Sequence, residues 1–489
     1  VGECFQFFVE YLTQVLSVDV PLMGEDDERV SEKKKGVLLD ALRGCLFRSR
    51  ECYLRVDKSQ SLHAFDGKKF QSVPDSFLAN AVSKSLERIH AGVVYRIKVP
   101  DELAKVLLRE ILVEPQCRFE PNRRYVAFDN CVLDLKEDRT REFSAEFVTD
   151  ICLDIDYDPT KRSELWTRFI QQTFPVAGFR DVFQWFCGAF LIDRREYKIE
   201  YACFVVGPGS NGKSVAVDSV CNVFGNGLIA KFSPKQLFGD KGNVQQNLAA
   251  LEGKLANVTD DIDKSLLSGG DFKTFVSGGE FQARLLYKEP FIVRAPFMLC
   301  CTNEMPPTAD DTEGHHRRIL PVKSTDHVYR GSERDTGLTG KLSTKESRQA
   351  IFNWIYEGYR RVVSDSGNLE IPECVEALRN SVKENSNTVR RWLFEMRYVP
   401  ESPDEVTAAG SWHETNKLYE AYKKYCQEEG AMEKNTKTRS GFRDALTVIG
   451  FVSRKRAIGW VTYLKVTPEE DYGEEIIGEL VKEDNGLPF

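Results

Sequence analysis

Residues 201–214 read Tyr201-Ala-Cys-Phe-Val-Val-Gly-Pro-Gly-Ser-Asn-Gly-Lys-Ser214. An apolar run gives way to a glycine-bounded loop, and a helix-compatible stretch starts at Val215. Gly207, Pro208, Gly209, Ser210, Asn211, Gly212, Lys213 and Ser214 match G-x-x-x-x-G-K-[ST] in the strand–loop–helix context that the pattern requires. Gly207 and Gly212 permit backbone angles that other residues resist. Successive N–H groups can then face phosphate oxygens. Lys213 is placed to reach the β- and γ-phosphates, and Ser214 to ligate Mg²⁺. A chance glycine loop with this wording arises on the order of once in a hundred chains of this length. Binding of ATP with Mg²⁺ is therefore the stronger reading.

Such a loop needs an acidic residue at the end of a neighbouring strand. Leu255-Ala-Asn-Val-Thr-Asp260-Asp261 supplies two, starting 47 residues beyond Lys213. Asp260 would hold Mg²⁺ through water and Asp261 would orient the attacking water, whereas a surface Asp-Asp turn is the plainer reading. Phe297-Met-Leu-Cys-Cys-Thr-Asn303 is a third apolar strand ending in an amide. Asn303 suits a hydrogen bond to the γ-phosphate and the attacking water, and equally suits the start of a turn into Pro306–Pro307. Gly314-His-His-Arg317-Arg318 precedes a further strand, Ile319–Val322. Paired arginines can stabilise a transferring phosphoryl group, often from a neighbouring subunit. A solvated basic turn is the simpler alternative.

Working outward, short apolar strands alternate with helical stretches from about residue 196. This predicts an α/β fold with a mostly parallel sheet. Upstream, Leu62–Phe70 reads as a hairpin around Asp66–Gly67. Tyr125–Phe128 and Val132–Leu135 read as a strand pair, and residues 166–192 as helices. Helical periodicity surrounds Leu38, Leu39, Leu42 and Leu46. Residues 345–385 read as helical, and 386–466 as a separate small domain.

The 489 residues suggest about three domains. With 42% apolar residues, large cores are affordable. The net charge of −8 argues against a histone-like wrapper of nucleic acid, but not against an enzyme with a confined basic channel. The 13 cysteines and six histidines show no zinc-ligand spacing. They read as free, mostly buried thiols of a reducing compartment. No apolar run reaches 18 residues, so a membrane span is not expected, and no signal peptide is apparent. The chain opens on Val1 rather than Met, which leaves room for a preceding segment.

Taken together, these motifs resemble superfamily 3 helicases of the phage/plasmid primase-helicase type, whose N-terminal region is shared with the poxvirus helicase-primase. Tyr125-Val-Ala-Phe-Asp-Asn-Cys-Val-Leu-Asp-Leu135 is similar to the family's Asn-Gly-Val-Leu-Asp strand pair, with Cys131 in the glycine's place. Asp156-Tyr-Asp-Pro159 followed by Trp166, then Gly209–Ser214, Ser277-Gly-Gly-Glu280, Ala283-Arg284, Tyr287-Lys288, Phe291, Thr302-Asn303 and Arg317-Arg318-Ile319 continue the series. The resemblance implies an AAA+-like P-loop ATPase core in a hexameric ring that moves along single-stranded DNA at a phage or mobile-element replication fork, in the cytoplasm of a bacterial host. It implies that Arg317 or Arg318, with Arg318 slightly preferred, completes a neighbour's site. It implies that Phe281–Phe291 lines the pore, with Lys288 and Tyr287 on the DNA. On this reading residues 1–115 are an accessory region without a convincing primase acid set. Residues 116–195 are the collar-type domain, 196–385 the ATPase, 386–466 a winged helix and 467–489 an acidic tail.

In the C-terminal segment, Ser411-x-x-Glu414 reads as a capping box. Leu418, Tyr422, Tyr425 and Cys426 form a helix face, Phe442, Leu446 and Ile449 a second. Phe451–Leu464 reads as a hairpin with Arg454, Lys455 and Arg456 at its tip. Residues 434–465 carry a balance of +7, the footprint of a nucleic-acid contact. A wing used for protein docking is the other reading. Residues 467–489 carry −7, so the acidity of the whole chain is largely that tail. Its ending resembles the acidic tip of bacterial single-stranded-DNA-binding proteins, implying host replication proteins as partners. A solubilising tail is the plainer reading. Two other functions suit the motifs: an ATPase that loads or remodels replication proteins without unwinding, and an origin-binding initiator.

Overall fold

The computed structural model describes residues 2–19, 32–48, 52–58, 60–89, 98–239, 243–260, 270–286, 289–305, 313–386, 388–401, 412–428 and 436–466. At its centre are five strands: β1 (Ala202–Val206), β2 (Ile229–Ala230), β3 (Ala256–Thr259), β4 (Phe297–Thr302) and β5 (Ile319–Lys323). They lie in the order β5-β1-β4-β3-β2, and every pairing is parallel. The expected α/β fold with a parallel sheet is therefore present.

A parallel sheet needs crossovers that cover both faces, so its strands are apolar on both sides. Cys203, Val205, Leu299, Cys301, Leu320 and Val322 enter one core. Ala202, Phe204, Met298, Cys300 and Ile319 enter the other. The first core receives helices α1 (Glu164–Thr173), α2 (Ala177–Ala189), α3 (Lys213–Phe224) and α4 (Lys345–Ser364). Ser163 caps α1 by accepting from the Trp166 N–H, and Thr344 caps α4 by accepting from the Ser347 N–H. Helices α2 and α4 touch backbone to backbone. A Cβ at Gly188 would lie 2.1 Å from Tyr359 N, and one at Gly358 would lie 2.2 Å from Gln184 O. The second core is covered by short helices that include Gly270–Val276 and by the hairpin Glu280–Ala283/Phe291–Arg294.

The first core also takes in Val126 and Leu133 from the antiparallel sheet of Tyr125–Ala127, Val132–Asp134 and Arg139–Arg141, and Leu153 from the segment that follows it. It therefore runs without a break across residue 195. This sheet gives the Asn-x-Val-Leu-Asp wording a structural meaning. Asp134 is fully buried and accepts from Arg124 Nε and Nη2 at 2.7 Å each and from Arg141 Nε at 2.9 Å. Backbone N–H groups of Lys136 and Glu137 add two bonds at 3.3 Å. Burial raises the carboxyl's pKa, but the arginines and the N–H bonds outweigh it and hold the group down at about 2. Asn130 pairs with the Tyr157 backbone in both directions, at 2.8 and 3.0 Å. Asn353 of α4 donates to Asp158 O and Lys161 O, at 2.8 and 2.9 Å. The two motifs thus join the antiparallel sheet to α4. Cys131 is absent from the positive-φ residues, so this turn does not require the family's glycine.

N-terminal to this, helices Gly2–Asp19, Glu32–Arg43, Phe77–Ile89 and Lys98–Val113 surround a three-stranded antiparallel sheet, Leu54–Val56, Leu62–Phe65 and Phe70–Val73. The expected turn is built on Asp66, whose Oδ1 accepts from Lys68 N and Lys69 N at 2.8 Å each. Leu38, Leu42 and Leu46 are buried.

The C-terminal segment has its own core of Val389, Trp392, Leu418, Tyr422, Cys426, Phe442, Leu446, Phe451 and Leu464. Two expectations are corrected here. Trp412–Glu414 is a strand paired with Gly459–Val466, and the helix begins only at Thr415, so Glu414 is not part of a capping box. Ser411 lies outside the described residues. Arg454, Lys455 and Arg456 lie along the strand Ser453–Arg456, not at the hairpin tip, which is Ala457–Ile458. Arg456 folds back, donating to Tyr463 Oη at 2.6 Å. The acidic tail also lies outside the described residues. Among the described residues, no helix is long and apolar enough to cross a membrane.

Candidate functional site

The Gly207–Ser214 loop leaves the carboxyl end of β1 and enters α3 at Lys213. Neighbouring segments hold its shape. Gly207 N donates to Thr302 O at 3.2 Å, and a Cβ at Gly207 would lie 2.1 Å from Ser324 Oγ. Gly212 adopts a left-handed φ of +96°, which favours glycine. The Asn211 side chain is buried. It donates to Ser324 Oγ at 2.7 Å and to Thr325 O at 2.8 Å, and accepts from Lys213 N at 3.3 Å. Tyr329 N donates to Ser210 O at 2.9 Å, and Thr325 N to Thr173 O at 2.8 Å. Among the described residues, the backbone N–H groups of Gly209, Ser210 and Gly212 have no partner.

Lys213 is 7% exposed. Its Nζ donates to Pro208 O at 2.9 Å and to Asn303 Oδ1 at 3.0 Å, both neutral oxygens. Burial lowers its pKa, and the neighbouring Cys301 sulfur and Asp260 carboxylate act in the opposite sense. Asp260 follows the last residue of β3. Burial and the adjoining Asp260 carboxylate together push the Cys301 thiol up. The carboxyl ends of β1, β3 and β4 thus bring Lys213, Asp260 and Asn303 together. Ser214 is exposed in the first turn of α3, and Val215 is half-buried behind it. An ammonium that is mostly buried yet bonded only to neutral oxygens keeps its charge available for an anion. A carboxylate and a hydroxyl beside it are hard oxygen donors of the kind Mg²⁺ takes.

Arg317 and Arg318 are not brought to this loop. Arg318 O accepts from Ala202 N at 2.8 Å, at the start of β1. The five residues of β1 separate the pair from the loop by about 17 Å. Asp261, Tyr287 and Lys288 lie outside the described residues, although the base of the hairpin that carries the last two is described. Arg454, Lys455 and Arg456 belong to the separate C-terminal sheet. There, Lys455 stands across from Trp460 in register, and the Arg443 guanidinium lies 4.5 Å from the Trp460 ring centre.

Sequence reasoning missed Thr173, Ser324 and Thr325, which shape the loop from α1 and from the segment after β5. The one available signal was a Ser-Thr pair directly after the last apolar strand. It also missed Trp460, which reads as one more apolar residue of a strand.

Comparison with known proteins agrees with the family resemblance. Residues 50–175 match the D5 N terminal like family, and residues 205–318 match a family of unknown function, DUF5906. These matches support the resemblance to the primase-helicase type over part of the chain. A protein of Acanthamoeba polyphaga mimivirus named "Putative helicase" is 25% identical over 227 residues, covering 44% of this chain and 23% of its own length. The chain therefore spans under a quarter of that relative. Among solved structures, two apo structures of the NrS-1 C terminal region are similar, at 12% and 11% identity with TM-scores of 0.43 and 0.45. Each covers 85% of this chain and 96% of its own.

Proposed function

We propose that this protein is an ATP-dependent replicative DNA helicase, a P-loop ATPase of the superfamily 3, AAA+-like kind that works as a hexameric ring on single-stranded DNA. The observation that carries the reading is the Lys213 ammonium, buried against neutral oxygens in a loop whose cradle any side chain at Gly207 would fill. ATP with Mg²⁺ suits this site.

Lys213 would bind the β- and γ-phosphates, exchanging its present neutral acceptors for charged ones. The unpartnered N–H groups of the loop would take the remaining phosphate oxygens. Ser214 and Asp260 would hold Mg²⁺, which when bound neutralises phosphate charge and orients the oxygens. Asn303, already bonded to Lys213, would orient the γ-phosphate and the attacking water, and Asp261 would accept the water's proton. Arg317 fits a finger acting on a neighbour's nucleotide better than Arg318. It is 54% exposed and pairs only with Glu200 among the described residues. Arg318 is 12% exposed and bonded to Ser277, Gly314 and Glu200. A finger on the far end of the sheet from its own loop can only serve another copy.

DNA would run past the hairpin that carries Tyr287 and Lys288. In the C-terminal segment, which we read as a winged helix, Trp460, Lys455 and Arg443 offer a stacking ring flanked by charge. Arg456 is committed to Tyr463.

The test is ATP hydrolysis and strand displacement by the whole chain on a forked DNA. The wild-type protein hydrolyses ATP faster with DNA and separates the strands, and Lys213→Ala does neither. Hydrolysis without strand displacement would instead favour an ATPase that loads or remodels replication proteins.

A further inference from the structure

A single carboxylate holds both arginines at the amino-terminal end of the parallel sheet. Glu200 lies just before β1 and is 17% exposed. Its Oε2 accepts from Arg317 Nη2 at 3.1 Å, and its Oε1 accepts from Arg318 Nη2 at 3.4 Å. Lys198 Nζ lies 3.7 Å away. Ser277 Oγ accepts from Arg318 Nε at 3.2 Å, and its hydroxyl also acts to lower the Glu200 carboxyl's pKa. Burial alone would raise the carboxyl's pKa, but the Ser277 bond and the three cations lower it, so Glu200 is ionised.

Ser277 opens the Gly278–Gly279 turn into the hairpin Glu280–Ala283/Phe291–Arg294. Arg194 clamps the same junction. It donates to Ala295 O at 3.2 Å, Pro296 O at 2.8 Å and Ile199 O at 2.8 Å, and also to Val276 O. It is half-buried and bonded to backbone carbonyls, and burial lowers its pKa to about 9. Both ends of the hairpin are thereby tied rigidly to the residue that precedes Glu200. The softer link is Ser277, whose hydroxyl accepts from the same Arg318 guanidinium that Glu200 holds.

We propose that Glu200 is a positioning residue: it parks Arg317 against the hairpin base and couples the arginine's engagement with a neighbouring copy's nucleotide to the hairpin's contact with DNA. The proposal rests on the reading of Arg317 as the residue that completes a neighbour's site. When Arg317 moves to a phosphate, Glu200 keeps only Arg318, Lys198 and Ser277, and its bonds to them tighten. The Ser277 turn is then drawn toward Glu200. Coupling of this kind is reciprocal, so DNA that displaces the hairpin loosens the hold on Arg317 and favours its transfer to the nucleotide.

The experiment measures ATP hydrolysis by the whole chain with and without single-stranded DNA. Glu200→Gln keeps the side chain's size and a Ser277 bond but removes the charge. It lowers the KM for ATP without DNA by about twofold to fivefold, the scale of a half-exposed ion pair. The stimulation by DNA shrinks toward one. Glu200→Asp restores part of the stimulation. Ser277→Ala leaves the ion pairs in place, so the KM stays near wild type while the stimulation falls. That split is not the behaviour of general destabilisation, and it is read independently if Glu200→Gln fails to fold. Wild-type KM and stimulation in both Glu200→Gln and Ser277→Ala, with Arg317→Ala inactive, overturn this proposal alone. Full hydrolysis by Arg317→Ala and by Arg318→Ala overturns the reading beneath it.

Discussion

Replacing Asp134 with Asn keeps the side chain's size and removes its charge at the joint between the antiparallel sheet and the parallel-sheet core. The carboxylate is fully buried, yet it accepts from two arginines and two backbone N–H groups. Its pKa falls from an ordinary 3.8 to about 2. That difference corresponds to about 2 kcal/mol of stability. The sign follows from the direction of the shift. A depressed carboxyl contributes fully above pH ~4, and the contribution is lost as the pH falls from there toward about 2. At pH 7 Asp134→Asn therefore loses about 2 kcal/mol. A further ~1 kcal/mol goes where the amide's NH₂ faces Arg124 and Arg141 instead of accepting from them. The assay is hydrogen exchange over residues 125–157, since a chain with several cores need not unfold in one step. Protection in that segment should drop by about 30-fold or more at pH 7, while the N-terminal helices keep theirs. The gap between the two proteins should narrow as the pH approaches 3. Unchanged protection at pH 7, or a gap that does not narrow, would refute the claim that this motif aspartate is structural.

Four further predictions concern the site and the C-terminal sheet. Gly207→Ala places a Cβ against Ser324 Oγ, displacing the hydroxyl that holds Asn211. Strain of ~1–3 kcal/mol should weaken binding of an ATP analogue by about 5- to 100-fold, measured by calorimetry, with the circular dichroism spectrum unchanged. Trp460→Ala should weaken binding of a single-stranded oligonucleotide by a similar factor, since one stacked base is worth ~1–3 kcal/mol. Lys455→Glu should lower the salt dependence of the same binding by about one to two phosphate contacts. Arg456→Ala should mainly lower the melting temperature, because its guanidinium is spent on Tyr463 Oη.

How much of this was legible in the chain varied by feature. Four strands of the parallel sheet stood out because each is a short apolar run bounded by turn residues, a pattern that burial on both faces enforces, whereas the two-residue Ile229–Ala230 is too short to show one. Helix α3 and its loop stood out because glycines at fixed spacing follow an apolar strand and precede a helix-compatible run. The joint around Asp134 was legible only as a resemblance. Nothing in Asn-x-Val-Leu-Asp says that the aspartate will meet Arg124 and Arg141, since cross-strand and diagonal pairing sets that meeting. The C-terminal hairpin misled for a related reason. A basic run looks like a solvated tip, but the two-residue turn falls at Ala457–Ile458 and puts the run on a strand, where alternate residues face opposite ways. A capping-box pattern at 411–414 failed because strand pairing with Gly459–Val466 claimed Trp412–Glu414 first.

The chain by itself determined most of the local elements: apolar runs, a glycine-bounded loop entering a helix, and acidic, amide and arginine residues at the strand ends. Each depends on neighbours within about ten residues, where backbone preference and side-chain period act directly. Only the tertiary structure decided which of these meet. Parallel order β5-β1-β4-β3-β2 gathers Lys213, Asp260 and Asn303 at one end of the sheet and sends Arg317 and Arg318 to the other. The physical reason is that all five strands run the same way. Residues that follow strands collect at the carboxyl edge and residues that precede them at the amino edge, however close they stand in sequence. Glu200 and Arg317, 117 residues apart in the chain, are neighbours because both immediately precede strands.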